Sequence, residues 1–177
     1  MSSELKQAVK QAALLASTKV LVVDDEFYMR KVVRTLLASI GVRTVFEALD
    51  GEDGLEQIRR NAPDVVIVDW QMPKLDGPSF VRAMRSPATC SYPDVPIIML
   101  TGHSERARVV EAAKIGVNDY LLKPVSAKAL EERLLAVLTG DRQNPQAGEL
   151  SGQEARKRAS GIHGDTDRAM TTLVVLD

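Results

Sequence analysis

The sequence has few aromatic residues, one cysteine and almost no net charge. Aromatic side chains make up 4% of the 177 residues, so a core must be mainly aliphatic. Cys90 is the single cysteine, which excludes an internal disulfide framework and is compatible with a reducing cytosol. A net charge of -1 gives no overall basic footprint for nucleic acid, although a local basic patch remains open. We therefore expect no direct binding to nucleic acid.

Long apolar runs are also missing. No stretch approaches the roughly 18 consecutive apolar residues that a membrane span requires. The first residues have no basic region followed by an apolar core, so they do not resemble a secretory signal. We expect a cytoplasmic protein that does not associate with membranes. With 45% hydrophobic residues, the chain can still bury the core of one domain plus a remainder.

From residue 19 onward, apolar segments of strand length alternate with segments of helical periodicity. The strand candidates are 19–23, 43–47, 64–68, 96–100 and 119–122, and the helix candidates are 26–39, 51–61, 76–85, 105–115 and 126–138. This alternation predicts an α/β fold, with a parallel sheet and helices on both faces. The near-continuous Val, Ile and Leu of the strands are typical of a sheet buried on both sides.

Two flanking segments differ in composition from this central domain, which we place at 19–139. Residues 1–18 are rich in Ala, Leu, Lys and Gln, and their weak apolar face predicts a helical or mobile arm. Residues 140–177 are rich in small and polar residues and have few large apolar ones. We expect them to form a flexible tail without an output domain.

The predicted strands end in residues that can carry chemistry. Asp24 and Asp25 follow the first strand, Asp69 the third, Thr101 the fourth and Lys123 the fifth. In open α/β sheets, ligands bind beyond the carboxyl ends of the strands. The sequence therefore predicts one site at this edge of the sheet.

The residue types at these strand ends suit phosphoryl transfer. Three crowded carboxylates cannot all stay charged without a positive partner, and Mg²⁺ takes such oxygen ligands together with a phosphate oxygen. Lys123 would add positive charge for one phosphoryl oxygen, and the Thr101 hydroxyl would donate a hydrogen bond to another. A remaining carboxylate, for which Asp69 is the candidate, can then act as the nucleophile.

The order and spacing of five motifs resemble the receiver domain of response regulators in two-component signalling. The motifs are Asp24-Asp25, Asp69-x-x-Met72-Pro73-x-x-Asp76-Gly77, Thr101, Tyr120 and Lys123-Pro124. The resemblance covers about 19–139. It implies a doubly wound, flavodoxin-like sheet of five parallel strands, and we expect the strand order 2-1-3-4-5.

The resemblance also implies a role for each matched residue. Asp69 would accept a phosphoryl group, and Lys123 would pair with that group. Mg²⁺ would be held by Asp24, Asp25, Asp69 and the backbone carbonyl of Gln71. Thr101 and Tyr120 would form the conformational switch, and the bond before Pro124 would be cis.

The implied partners are proteins. The phosphoryl group would come from a sensor histidine kinase or a histidine phosphotransfer protein. The chain would then signal to an unidentified protein target by contact, or relay the phosphate onward, as a stand-alone receiver that catalyses its own phosphorylation and dephosphorylation. A homodimer remains an open alternative.

Plainer explanations exist for each residue taken alone. Asp24 and Asp25 could cap the following helix, whose positive end favours carboxylates. Asp76-Gly77 is expected to be an N-cap or turn at the start of the third helix of the domain. A single Thr, Tyr or Lys at a strand end is common. Their joint order favours the functional interpretation.

Three rival functions remain. An aspartyl-phosphate hydrolase on a similar sheet would carry a second Asp two residues after the nucleophile, where this chain has Gln71. A nucleotide-binding module would need a glycine-rich loop after the first strand, where this chain has Asp24-Asp25-Glu26-Phe27. A transcriptional regulator lacking its DNA-binding domain is the third.

Overall fold

A computed structural model describes residues 2–102 and 106–140, with the backbone alone for 106–109. In these ranges the helices are α1 Ser3–Ser17, α2 Phe27–Ser39, α3 Gly51–Asn61, α4 Gly77–Arg85, α5 Arg106–Lys114 and α6 Ala127–Thr139. The strands are β1 Lys19–Val23, β2 Thr44–Ala48, β3 Val65–Asp69, β4 Ile97–Thr101 and β5 Asp119–Leu122. Of the predicted tail, residues 141–177 lie outside the described residues.

The five strands form one parallel sheet in the order β2-β1-β3-β4-β5. The predicted fold class and strand order are therefore confirmed. The order reverses direction after β1, between β1 and β3, where neighbouring connections leave on opposite faces of the sheet. This is the place where ligands bind in doubly wound sheets.

Each face of the sheet has its own apolar core, because side chains alternate between the faces along a strand. In β1, Leu21 and Val23 face the cluster that includes Ile58 of α3 and Phe80 of α4. Val20 and Val22 face the opposite cluster, which contains residues of α1, α2 and α6. Both faces are thus covered, as the continuous apolar strands predicted.

Helix α1 precedes β1 and meets the body of the domain only near its carboxyl end. Leu15 is buried in the same cluster as residues of α2 and α6, whereas Leu5 and Val9 are exposed. Ser2 caps the helix by accepting a hydrogen bond from the Leu5 amide. No helix in the described ranges is both long enough and apolar enough to cross a bilayer.

Strands β2, β3 and β4 each begin and end one residue later than predicted, and the last residues of β3 and β4 are chemically important. Asp69 is the last residue of β3 and pairs with Leu100, and Thr101 is the last residue of β4 and pairs with Leu122. The ladder continues because the Trp70 amide donates to the Leu100 carbonyl at 2.9 Å. Asp69 and Thr101 are therefore held by the sheet itself.

The buried face of α2 includes a charged residue. Arg30 is buried together with Val33 and Leu37, whereas Val32 is 43% exposed. A buried guanidinium needs polar partners, and Arg30 finds them in the Asp24 carbonyl and the Glu47 carboxylate.

Asp76 caps a helix, whereas Asp24 and Asp25 do not. Asp76 caps α4 by accepting from the Ser79 amide at 2.8 Å, which confirms the predicted cap. The alternative that Asp24 or Asp25 caps α2 is wrong, because the N-cap is Glu26, with no side-chain cap hydrogen bond. The Asp24 carboxylate instead accepts from the amide of Glu26, within the loop.

Candidate functional site

A cavity of about 330 Å³ opens at the carboxyl ends of β1, β3, β4 and β5. Its lining consists of Asp24, Asp25, Glu26, Asp69, Trp70, Gln71, Thr101, Gly102 and Lys123. The strand ends that the sequence singled out therefore meet at one place, because parallel strands all end at the same edge of the sheet.

Three carboxylates lie together in this cavity. Oxygen atoms of Asp24, Asp25 and Asp69 all lie within 4.8 Å of one another. Asp24 and Asp69 are 1% and 7% exposed, whereas Asp25 faces solvent. Oxygen ligands with one open side are the donor set that Mg²⁺ prefers, since it keeps several waters. The residues thus fit a hard divalent cation.

Lys123 is the cation that faces the two buried carboxylates. Its Nζ lies 2.8 Å from Asp69 Oδ1 and 3.4 Å from Asp24 Oδ2. Burial acts to lower the pKa of Lys123, but the hydrogen bond to Asp69 and the charges of both carboxylates outweigh it and raise that pKa. Lys123 therefore stays charged at neutral pH.

The surroundings of Asp24 disfavour its charged form, in contrast to those of Lys123. Burial raises its pKa and the charge of Asp69 adds to this, while the Glu26 amide and Lys123 act in the opposite direction. The net shift is upward, so the fold disfavours the charged form of Asp24. A cation bound between the carboxylates would relieve this cost.

Asp69 directs its two oxygens to different partners. Oδ1 contacts Lys123, and Oδ2 accepts from the Gln71 amide at 3.1 Å. This hydrogen bond joins Asp69 to the loop that follows β3, and both Asp69 and Gln71 line the cavity. Thr101 lies on the neighbouring strand, buried and in the lining.

The two remaining residues from the sequence lie outside the cavity lining. Tyr120 is on β5, half-buried against the core cluster that also contains Met99. Pro124 follows Lys123 through a cis peptide bond. The Lys123 amide donates to the Thr101 carbonyl at 2.8 Å, which joins the end of β5 to the end of β4.

The loop after Asp69 is packed closely against the strand it leaves. A Cβ on Gly77 would lie 2.3 Å from the Asp69 carbonyl oxygen and 3.0 Å from Trp70 Cα. The Gly77 amide donates to the Trp70 carbonyl at 3.0 Å. Only glycine allows this approach, so Gly77 sets the main-chain position of Asp69. The sequence had indicated no more than a helix start here.

The same loop also contacts the start of α3. Lys74, which has φ 65°, forms an exposed ion pair of 3.0 Å with Asp50, the N-cap of α3. Leu75 lies against Gly51, where an added Cβ would meet it at 2.7 Å. A second cavity of about 420 Å³ lies beside this loop and shares Asp25, Trp70 and Gln71 with the first.

Sequence reasoning missed three residues that shape the site. Trp70 follows Asp69 directly, and it lines both cavities as well as packing half-buried against the core. Arg30 was overlooked, although it shares a helical stripe with Val33 and Leu37. Glu26 was noted only for the missing glycine-rich loop, but its amide holds Asp24.

Comparison with known proteins identifies the kind of domain that carries such a site. The family model described as the response regulator receiver domain matches residues 20–135. The probable transcriptional regulator ycf27 of Guillardia theta is 45% identical over 120 residues, which are 68% of this chain and 45% of that protein. The chain therefore matches less than half the length of that regulator.

Shorter relatives match over nearly their full length. Chemotaxis protein CheY1 of Helicobacter pylori is 39% identical over 68% of this chain and 96% of its own. The crystallised chemotaxis protein CheY4 of Vibrio cholerae superposes with a TM-score of 0.63 at 34% identity, covering 68% of this chain and 98% of its own. The Francisella response regulator 1452 receiver domain gives a TM-score of 0.63 at 32% identity, covering 70% and 98%.

Proposed function

This chain belongs to the response regulator receiver domain family, and from that premise we propose that it is a signalling switch phosphorylated on Asp69. The observation that carries the proposal is the contact of Lys123 with both Asp69 and Asp24, at 2.8 and 3.4 Å, beside the exposed carboxylate of Asp25. A structural ion pair would need only one of these carboxylates. Two carboxylates on one lysine, with a third carboxylate beside them, suit a site that binds a cation together with a negatively charged phosphoryl group.

The proposed reaction moves a phosphoryl group from a phosphohistidine on a partner protein to Asp69. A carboxylate oxygen of Asp69 forms the new P–O bond while the P–N bond to the histidine breaks, and the imidazole leaves with the electron pair. Lys123 neutralises charge on the phosphoryl oxygens, and the Thr101 hydroxyl donates a hydrogen bond to one of them. Such reactions depend mainly on alignment and charge neutralisation.

Asp24, Asp25, Asp69 and the Gln71 carbonyl are the proposed ligands of Mg²⁺. When bound, the ion would neutralise negative charge shared by the carboxylates and the phosphoryl group. Asp24 supports this assignment, because burial raises its pKa and makes a positive neighbour favourable.

The proposed output is a change of conformation that another protein reads. Thr101 and Tyr120 lie on adjacent strands, β4 and β5, so a shift of one toward the phosphoryl group opens space for the other. To move a two-state equilibrium from 1:99 to 99:1, phosphorylation must favour one state by about 5.5 kcal/mol. The proposed donor is a histidine kinase or phosphotransfer protein, and the proposed location is the cytoplasm.

Phosphorylation by a small-molecule phosphodonor tests the proposal directly. The protein is incubated with acetyl phosphate and Mg²⁺, and intact-mass analysis measures the gain of one phosphoryl group. We expect the wild type to be labelled and Asp69→Asn to remain unlabelled, and chelation of Mg²⁺ to abolish labelling of the wild type.

The matched control is Asp76→Asn in the same loop. Asparagine is as good an N-cap as aspartate, so α4 is kept and labelling should match the wild type. Labelling of Asp69→Asn at the wild-type level would exclude Asp69 as the acceptor. Rapid steady-state hydrolysis of phosphate esters by the wild type would instead support the hydrolase alternative.

A further inference from the structure

Arg30 is a buried cation close to the acidic pair. It lies on α2 and is 5% exposed. Its Nη1 donates to the main-chain carbonyl oxygen of Asp24 at 2.8 Å, and its Nε donates to Glu47 Oε2 on β2 at 3.3 Å. The guanidinium therefore connects β2 to the main chain that carries Asp24 and Asp25.

The Asp24 carbonyl is a sensitive place for such a contact. The peptide bond is planar, so the carbonyl of Asp24 and the amide of Asp25 turn together. The Asp24 amide is held separately, by the Ala48 carbonyl of β2 at 3.2 Å. Both main-chain polar groups of Asp24 are therefore held, the amide by Ala48 and the carbonyl by Arg30.

We propose that Arg30 is a positioning residue for the divalent-cation site. By holding the peptide between Asp24 and Asp25, it sets the directions in which their two carboxylates point. This inference rests on the proposed function, because it requires those carboxylates to hold a cation. Partners that orient metal ligands typically contribute 10–100-fold to metal affinity.

Charge and orientation predict opposite effects of removing Arg30. A guanidinium near a cation site repels the incoming cation, so its loss alone would tighten Mg²⁺ binding. If Arg30 orients the ligands, its loss weakens Mg²⁺ binding even though a positive charge has been removed. The sign of the change therefore identifies the role.

The test is a Mg²⁺ titration of the full chain. Trp70 is the single tryptophan and lines the cavity, so its fluorescence follows occupancy, with titration calorimetry as a second readout. We expect Arg30→Met to raise the Kd for Mg²⁺ about tenfold. The fold should survive, because Glu47 retains its ion pairs with Lys31 and Arg34.

Arg34→Met is the matched control. Arg34 lies on the same helix, pairs with the same carboxylate at 3.0 Å and is half exposed, and its main-chain contact is with the Val45 carbonyl and not with Asp24. This variant removes the same charge and one partner of Glu47. We expect its Kd to equal that of the wild type or to be slightly lower.

Arg30→Lys keeps the positive charge of the wild type, so any change in Mg²⁺ affinity comes from geometry. It is also the variant to use if Arg30→Met does not fold. An ammonium cannot reproduce the planar fork that reaches two acceptors, so we expect a Kd at least about threefold higher than the wild type, a smaller loss than the roughly 10–100-fold that follows removal of an orienting partner. The inference is overturned if the folded Arg30 variants bind Mg²⁺ as tightly as Arg34→Met, or if Arg34→Met is weakened equally.

Failure of the proposed function would look different. A wild type that shows no Mg²⁺ binding by either readout would remove the cation site itself, and the inference with it. A wild type that binds Mg²⁺ while the Arg30 variants bind equally well would remove the inference alone.

Discussion

The β1–α2 loop (residues 24–26) and the β3–α4 loop (residues 70–76) follow neighbouring strands and lie on either side of the cavity. One buried carboxylate at the start of each loop, Asp24 or Asp69, makes the same two kinds of side-chain contact. Asp24 and Asp69 each accept a hydrogen bond from the amide two residues ahead, and each directs its other oxygen to Lys123.

The main chains of the two loops are held in different ways. The carbonyl of Asp24 is bound by the buried guanidinium of Arg30, whereas the carbonyl of Asp69 is packed against Gly77 with no room for a side chain. The main chain of the proposed cation ligands is thus held by a polar contact, and that of the proposed nucleophile by a steric one. Steric contacts tolerate less change, and this difference can be tested by substitution.

Gly77→Ala should have the largest effect on stability. Its Cβ would lie 2.3 Å from the Asp69 carbonyl oxygen, so either the strand end or the start of α4 must move. We expect a loss of about 1–3 kcal/mol, the usual cost of overpacking, together with slower phosphorylation of Asp69. Urea unfolding and intact-mass kinetics measure the two effects.

Gly102→Ala is the control for Gly77→Ala. In the part of the chain that the structure describes, nothing lies within 4 Å of a Cβ built on Gly102, so the stability of this variant should stay within about 0.5 kcal/mol of the wild type. If Gly77→Ala unfolded at the same urea concentration as the wild type, the steric account of the β3–α4 loop would be wrong.

Asp24→Asn should have an intermediate effect of opposite sign. The substitution removes a buried carboxylate whose pKa is raised by burial, and it keeps an oxygen that accepts from the Glu26 amide. We expect a gain of about 0.5–2 kcal/mol in the free energy of unfolding, at the cost of Mg²⁺ affinity. The gain applies in the absence of Mg²⁺. Urea unfolding with a chelator present measures the gain.

The comparison for Asp24→Asn is Asp25→Asn. Asp25 faces solvent, so burial does not penalise its charge and the gain in stability should be smaller. Equal gains from both substitutions would indicate that repulsion among the three carboxylates, and not burial, dominates the energetics of the site.

Lys74→Ala should have the smallest effect. Its ion pair with Asp50 is exposed, with 67% of the Lys74 side chain in solvent, and exposed pairs contribute little. We expect no measurable change in the urea midpoint, as for Lys6→Ala on α1. A shift as large as that of Gly77→Ala would show that the β3–α4 loop is held by the ion pair after all.

Much of the fold followed from periodicity. Apolar strands and amphipathic helices in strict alternation predicted the parallel sheet, and the resemblance to receiver domains implied the strand order that the structure contains. The polar residues at four strand ends predicted where the site would lie. Strand limits at Asp69 and Thr101 were missed by one residue, because the ladder continues onto polar residues that propensity alone assigns to a loop.

The sequence by itself determined the chemistry available to this protein, because residue types and their order specify which carboxylates, hydroxyl and lysine can meet at the edge of a parallel sheet. Only the tertiary structure decided how those groups are held. Arg30 and Gly77 act on residues six and eight positions away through main-chain contacts. Those contacts depend on the register of the sheet and the closeness of packed backbone, which local sequence patterns do not encode.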